Sequence, residues 1–224
     1  IEFKPFGFFD EKYPVIINDY FSNGSLSDII ENLEKNKEVD GWNDTKKLIN
    51  IYGIAFGMRL LHQRDILHRN LTTKSILENN DFYPSINNCC LSNDLRSLQT
   101  ILKMLKNSPF CAPEVYIYNQ YTKASEVYSF GMIVYSIMAN KHPYSDCNQY
   151  QLLTNTVNGL MPEFEKSIPE PYQKLIKDCI STNSNERPTF DDIVSHLQGY
   201  EFVSKLVDRE EYLHYAKDHH SYIP

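Results

Sequence analysis

The sequence predicts an α+β fold that is mainly α, with a small β element at the front of a single helical domain. Three observations predict it. Short β-like runs are confined to the first residues, at 1–9 and 13–18. From about residue 25 onward, apolar residues recur at three- and four-residue spacing, the pattern of helices that bury one face. Two sequences, Ser25-Leu26-Ser27-Asp28 and Thr189-Phe190-Asp191-Asp192, read as capping boxes, in which side-chain oxygens satisfy N–H groups that a first helical turn leaves unbonded.

Taken in order, the two β stretches flank a charged turn at Asp10-Glu11-Lys12, and Asn23-Gly24 marks a second turn. Leu26, Ile29, Ile30 and Leu33 then share a helical face. A longer helix over 44–64 places Leu48, Ile51, Ala55, Met58 and Leu61 on one side. Between 66 and 92 short apolar runs broken by polar residues predict small strands around a functional loop. Helices follow at 125–139, 148–158, 171–181 and 190–198, with a tail helix over 208–217. No internal repeat or low-complexity linker divides the chain.

Composition narrows the function classes. With 224 residues, 42% hydrophobic and 23% charged, the chain can bury one core of ordinary size. A formal charge of −7 argues against nucleic acid or an anionic membrane as a bulk electrostatic partner. The longest apolar candidate, 130–138, is far too short to span a bilayer. Five cysteines, an odd number with no C-x-x-C pair, argue against a disulfide framework or a zinc site and for reduced, core-packing thiols. The start, Ile1-Glu2-Phe3-Lys4, is neither a signal peptide nor an initiator context. It is expected to lie inside a longer protein, or at a processing or cloning boundary.

The segment His68-Arg69-Asn70-Leu71-Thr72-Thr73-Lys74-Ser75 resembles the protein-kinase catalytic loop, whose pattern is H-R-D-L-x-x-x-x-N. Other matches keep the family's order: Asp19 to Leu26 resembles the hinge, and Leu61-His62 the end of the helix before the loop. Pro84 to Leu91 stands where the D-F-G strand should be. Ala112-Pro113-Glu114 matches A-P-E, Ser125 to Gly131 resembles S-D-V-Y-S-F-G, and Arg187-Pro188-Thr189-Phe190 resembles R-P-T-F. The resemblance covers about residues 1–198 and is closest to the tyrosine-kinase-like group. It implies a kinase-like C-terminal lobe with a remnant of the N-lobe sheet. The implied divisions are 1–22 for the last two N-lobe strands and hinge, 23–199 for the C-lobe, and 200–224 for the tail helix. The family's Gly-rich loop, strand lysine and paired glutamate would lie before Ile1.

The resemblance also identifies substitutions at the chemistry. Asn70 stands at the position of the catalytic aspartate, and a carboxamide is a negligible base. Ser75 and Asn88 replace the two metal ligands, although Mg²⁺ prefers anionic carboxylate oxygen. Cys89 and Cys90 take the Phe and Gly positions of D-F-G, and Thr72 replaces the lysine typical of serine/threonine kinases. Lys74 is a possible substitute cation, where tyrosine kinases often carry arginine. His68 and Arg69 keep the loop scaffold. Asp19, Tyr20 and Phe21 would form the nucleotide hinge and Leu77 the adenine floor. Glu114 and Arg187 are expected to pair. Glu126, one methylene longer than the family aspartate that braces the loop, is expected to displace it slightly.

The function implied is a catalytically impaired pseudokinase, binding protein partners as an intracellular, cytoplasmic signalling scaffold or allosteric module. It would need no cofactor and bind neither nucleic acid nor membrane; nothing in the residues fixes an oligomeric state. Two alternatives stand beside it. One is an atypical active kinase that uses ATP and Mg²⁺ with its N-lobe upstream. The other is a truncated, non-functional product exposing apolar surface around 15–21 and Leu77.

Four further features carry expectations. Leu95, Leu98, Ile101, Leu102 and Leu105 predict an amphipathic helix over 94–106 packed into the truncated cleft, against a loop with scattered leucines. Ser97, Thr100 and Ser108 are modification sites near a phosphate-binding Arg69, or plain surface hydroxyls, the favoured reading. The stretch 107–111 is about one residue shorter than in common relatives, which weakens the expectation of substrate docking there. His214, Asp218, His219 and His220 are read as a solvated tail in preference to a metal site. The tail helix either packs back on the lobe or docks another domain.

Overall fold

The computed structural model describes residues 7–10, 13–15, 20–87, 108–164 and 167–220. The expected helix over 94–106, and Asp19, Asn88, Cys89 and Cys90 with it, lie outside the described residues.

Two antiparallel pairs form the β structure. Strands β1 (Gly7–Asp10) and β2 (Tyr13–Val15) pair with Phe8 opposite Pro14 and a bulge before Asp10. Strands β3 (Ile76–Glu78) and β4 (Pro84–Ile86) pair with Leu77 opposite Ser85. Among the described residues, the helices are α1 (Leu26–Glu34), α2 (Asp44–Gln63), α3 (Pro113–Tyr118), α4 (Lys123–Ala139), α5 (Gln149–Val157), α6 (Glu170–Cys179), α7 (Phe190–Leu197) and α8 (Arg209–His220). The fold is therefore mainly helical with a small β component, as the periodicity predicts.

Both expected capping boxes are present. Ser25 and Asp28 close the first turn of α1, and Thr189 and Asp192 that of α7. Gly24 adopts φ +70°, a conformation open to glycine at no steric cost, and so turns the chain into α1. Helix α4 begins two residues earlier than expected, because Thr122 caps it by accepting the Ser125 N–H. Helix α3 was not expected: a six-residue helix is too short to show a period. Proline at its first turn, where no N–H is needed, fixes its start.

Helix α4 is the axis of the core. Its residues from Ser125 through Ile137 are buried, apart from the half-buried Ser129, so its sequence is apolar on every side. Gly131 lets α6 approach: a Cβ there would fall 2.7 Å from Cys179 and 2.8 Å from Ile180. Helix α2 packs on α4, α7, α8 and β4, which explains why its burial extends beyond the single predicted face. No helix among the described residues is long and apolar enough to cross a membrane.

The tail helix packs back on the lobe. Tyr212 is buried, donates its hydroxyl to the Leu197 carbonyl (2.8 Å) and meets the Tyr52 ring edge-on at 5.8 Å. The Asp208 N–H bonds Thr45 Oγ1 at 2.7 Å, and Lys46 pairs with Glu211. Leu206 and Leu213 stay exposed, and on the outer face His214 bonds Asp218 at 3.1 Å.

Candidate functional site

The loop from His68 to Ser75 leaves α2 through a tight terminus. The Ile66 N–H reaches back to Leu61 O and the Asp65 N–H to His62 O, with Asp65 at φ 55°. These bonds satisfy carbonyls that the helix end leaves open. The chain then turns sharply again at Arg69, φ 65°. That conformation is costly for a residue with a Cβ and persists only where its surroundings enforce it.

Glu126 supplies the enforcement. From the first turn of α4, its Oε1 accepts the Arg69 N–H at 2.5 Å and its Oε2 lies 2.7 Å from His62 Nε2 on α2. Glu126 and His62 are both buried. The added methylene thus does not keep the carboxylate from the loop backbone.

His68 is fully buried beneath the loop. Its Nε2 lies 2.9 Å from the Asn87 carbonyl, and its Nδ1 faces the Asn70 N–H at 3.2 Å. A carbonyl needs a donor and an N–H needs an acceptor, so the ring is the neutral Nε2–H tautomer. Burial holds its pKa below the ordinary histidine value, against the bond to Asn87 and the charge of Glu126.

Ser75 is committed elsewhere. Its hydroxyl donates to the Thr72 carbonyl (2.8 Å) and accepts the Thr72 N–H (3.0 Å), and the residue is 1% exposed. The Ser75 hydroxyl oxygen is therefore folded into the loop's own backbone. Lys74 is exposed on the side of α1, where its charge acts on Asp28 and His142. It does not line the concavity that Asn70 lines.

That shallow concavity is formed by Arg69, Asn70 and Thr72 from the loop, Ser108, Phe110 and Cys111 ahead of α3, and Tyr121 and Ser129 beside and on α4. Ser129 Oγ donates to the Phe110 carbonyl at 2.7 Å, fixing one wall. The Tyr121 hydroxyl is buried in it with no hydrogen-bond partner among the described residues, and burial raises its pKa, opposed by Arg69. Sequence reasoning missed Tyr121, which belongs to no motif. Its described lining offers the Asn70 amide as a hydrogen-bonding group, and the Glu126 carboxylate within it is already engaged by Arg69 and His62. Ser108 lines this wall, whereas Ser97 and Thr100 lie outside the described residues.

Behind the cleft, Arg187 and Glu114 form the expected ion pair, bidentate at 2.6 and 3.0 Å. Arg187 also donates to the carbonyls of Ser181 and Ala124, both at 2.9 Å, and its guanidinium lies 5.2 Å from the Tyr128 ring centre. At the other edge, Tyr20 is 91% exposed and Phe21 half-buried. Asn23 Nδ2 bonds the Asn79 carbonyl at 2.6 Å and Ser22 bonds Asn80, tying this edge to the β3–β4 turn. Leu77 is half-buried and bridges to Ser25.

A family model described as protein tyrosine and serine/threonine kinase matches residues 4–197. A protein of Dictyostelium discoideum, named as a probable LIM domain-containing serine/threonine-protein kinase, is 28% identical over 189 residues. The match covers 84% of this chain and 28% of that protein. Ephrin type-A receptor 5 of Gallus gallus is 28% identical over 189 residues, 82% of this chain and 18% of the receptor. A protein of D. discoideum named as a probable tyrosine-protein kinase is 28% identical over 212 residues, 81% of this chain and 58% of that protein. The chain thus spans less than two thirds of the length of each.

Proposed function

Because this chain belongs to the protein tyrosine and serine/threonine kinase family, we propose that it is a pseudokinase lobe, impaired in phosphoryl transfer and acting by binding protein partners in intracellular signalling. One observation carries the reading: Asn70 occupies the base position, while the Ser75 hydroxyl, at a metal position, is consumed by Thr72. Phosphoryl transfer rests on positioning and on metal electrostatics. General-base help alone is worth roughly 10²–10⁴ in rate, and Asn88 substitutes the second metal ligand in sequence. The proposed division remains 1–22, 23–199 and 200–224.

The binding half of the reading is supported by α5. Tyr150, Leu153 and Val157, at i, i+3 and i+7, are exposed at 77%, 42% and 40%. They sit within 148–162, a run without a single charged residue. Aromatic and aliphatic exposure without charge is the composition of interface centres.

The intact scaffold of His68, Arg69 and Glu126 favours a second reading, an atypical active kinase that takes ATP and Mg²⁺ with an upstream N-lobe. Calorimetric ATP titration of the longest natural form, with and without Mg²⁺, separates the two. The proposal expects no metal-dependent binding and no phosphate transfer. Metal-dependent binding, with transfer lost in Lys74→Ala, would establish the second reading instead.

A further inference from the structure

Helix α5 reverses the usual amphipathic order. A helix on the surface of a lobe buries its apolar stripe and shows its polar one. Of the nine residues of α5 the lobe buries Leu152 and Thr156, one aliphatic side chain and one hydroxyl. Tyr150, Leu153 and Val157 are left in solvent. The chain leaving the helix repeats the pattern. Leu160 and Met161 are exposed at 55% and 47%, although the backbone there is tied down. The Tyr144 hydroxyl donates to the Leu160 carbonyl at 2.6 Å, and the Tyr135 hydroxyl to that of Glu163 at 3.0 Å. An apolar face is thus held in place and left uncovered.

The charge pattern points to what covers it. Helix α3, which packs against α5, has one charged side chain, Glu114, and Arg187 takes it. Along the chain, charge resumes at exposed Asp146 and Glu163, on either side of the uncharged run 148–162. A basic partner is drawn to carboxylates. The chain has 29 acidic residues, and none falls within that run. A second copy has the opposite requirement. In a two-fold contact the same patch meets itself, so any charge near the axis would face its like, an unfavourable juxtaposition. Amides escape this, because each is donor and acceptor at once. The exposed polar residues here include Gln149 and Gln151 on α5 and Asn158 after it. With the axis normal to this face, the two helices run antiparallel, which is also the favourable order of their dipoles.

We propose that α5 is a self-association face, through which two copies of this chain pair about a two-fold axis with Leu153 against its own counterpart. This rests on reading α5 as the protein-binding face of the lobe, and it names the partner. Apolar burial draws the copies together. Their equal formal charges of −7, with Asp146 and Glu163 at the rim, push them apart. Salt screens the repulsion and leaves the apolar attraction. Association should therefore strengthen with salt, the reverse of a contact held by ion pairs.

Sedimentation equilibrium of the whole chain tests this. A dimer is expected, tighter in sodium chloride at about 0.5 M than at about 0.05 M. Leu153→Glu and Leu153→Lys each set like charges together at the axis and should sediment as monomers. Mixed in equal amounts, they should pair with one another, an outcome that requires position 153 to face itself. Leu206→Glu, at an exposed leucine outside α5, should leave the dimer unchanged. All three positions are exposed, and circular dichroism checks that the variants fold. An unaltered chain that stays monomeric up to about 100 μM, where a micromolar contact is filled, overturns the proposal. So does a dimer that persists in Leu153→Glu, or a mixture of the two variants that does not pair. The readings fail separately. A monomer leaves α5 to a different protein and the pseudokinase reading standing, and metal-dependent ATP binding would leave the dimer standing.

Discussion

Glu126 and Arg69 are 57 positions apart, yet the Glu126 carboxylate takes the backbone N–H of Arg69 at 2.5 Å at the one loop residue whose φ is positive. The same carboxylate touches His62, so α2, α4 and the loop meet at one side chain. Glu126→Ala strands a buried N–H and a buried imidazole together and releases the strained turn. It should lower stability by about 2–5 kcal/mol in urea unfolding, the scale for leaving two buried hydrogen-bonding groups unsatisfied. Glu126→Gln keeps an acceptor for Arg69 and should cost clearly less; equal costs would mean that charge, not the hydrogen bond, holds the loop.

Arg187→Lys is not a conservative change here. Lysine carries charge but cannot reach Glu114, Ser181 and Ala124 at once in a planar fork. A loss of about 2–3 kcal/mol is expected, measured by denaturant midpoint. An unchanged midpoint would show that the carbonyl contacts contribute little.

Gly53→Ala should destabilise, although alanine is normally better than glycine in a helix by about 1 kcal/mol. The new methyl would overlap the Tyr215 oxygen at 2.3 Å and Pro84 at 2.7 Å. Combining it with Tyr215→Phe removes the nearer atom, so the double variant should recover part of the loss. A simple sum of the two single effects would place the strain elsewhere.

His68 gives a pH signature. Burial holds its pKa below the ordinary 6.5, so on acidification the unfolded chain takes up the proton before the folded one does. Its contribution is fully present above about pH 6.5 and is lost as pH falls toward the folded value, by about 1.4 kcal/mol per pH unit. Burial lowers His142 too, with the same sign. Glu78, which burial raises to about 8, acts oppositely: stability falls as pH rises from the ordinary carboxylate range to that value. Imidazole NMR should show His68 titrating below the ordinary histidine value; titration at or above 6.5 would contradict the buried tautomer.

Asn70→Asp alone should leave phosphate transfer undetected in a radiolabel assay on the longest natural form. On the proposed pseudokinase reading it supplies a base but neither metal ligand, and the Ser75 hydroxyl stays bound to Thr72. Recovered activity in that single variant would place the defect in the base only.

The helices and the loop were legible because periodic burial and capping are local: α1 and α7 begin at the boxes their sequences spell. The Glu114–Arg187 pair was legible through resemblance, not spacing. What the sequence concealed was partnership at a distance. Whether α8 packs back depends on Tyr52 and Thr45, which lie far away in the chain, and on Leu197, and none of them carries a mark of it. That Ser75 turns inward depends on the Thr72 backbone, and that Tyr121 lines the cleft depends on where α4 starts. The burial of Glu78 did leave a trace. It shares a strand face with Ile76, and a charged residue in phase with a buried one breaks the two-residue rule of a strand.

Arg187 joins Glu114, Ala124 and Ser181 only when the chain has been made through to it. A nascent lobe still short of that residue carries Glu114 without its counter-ion and α4 without α6 and α7 against it. Synthesis proceeds at about 5–20 residues per second. Roughly 70 residues, and therefore several seconds, separate the emergence of Glu114 from that of Arg187, an interval in which α4 is covered on its α2 side but not yet by α6. A chain that ends before Arg187 therefore leaves Glu114 without its counter-ion for good, and should be cleared faster than one that reaches it.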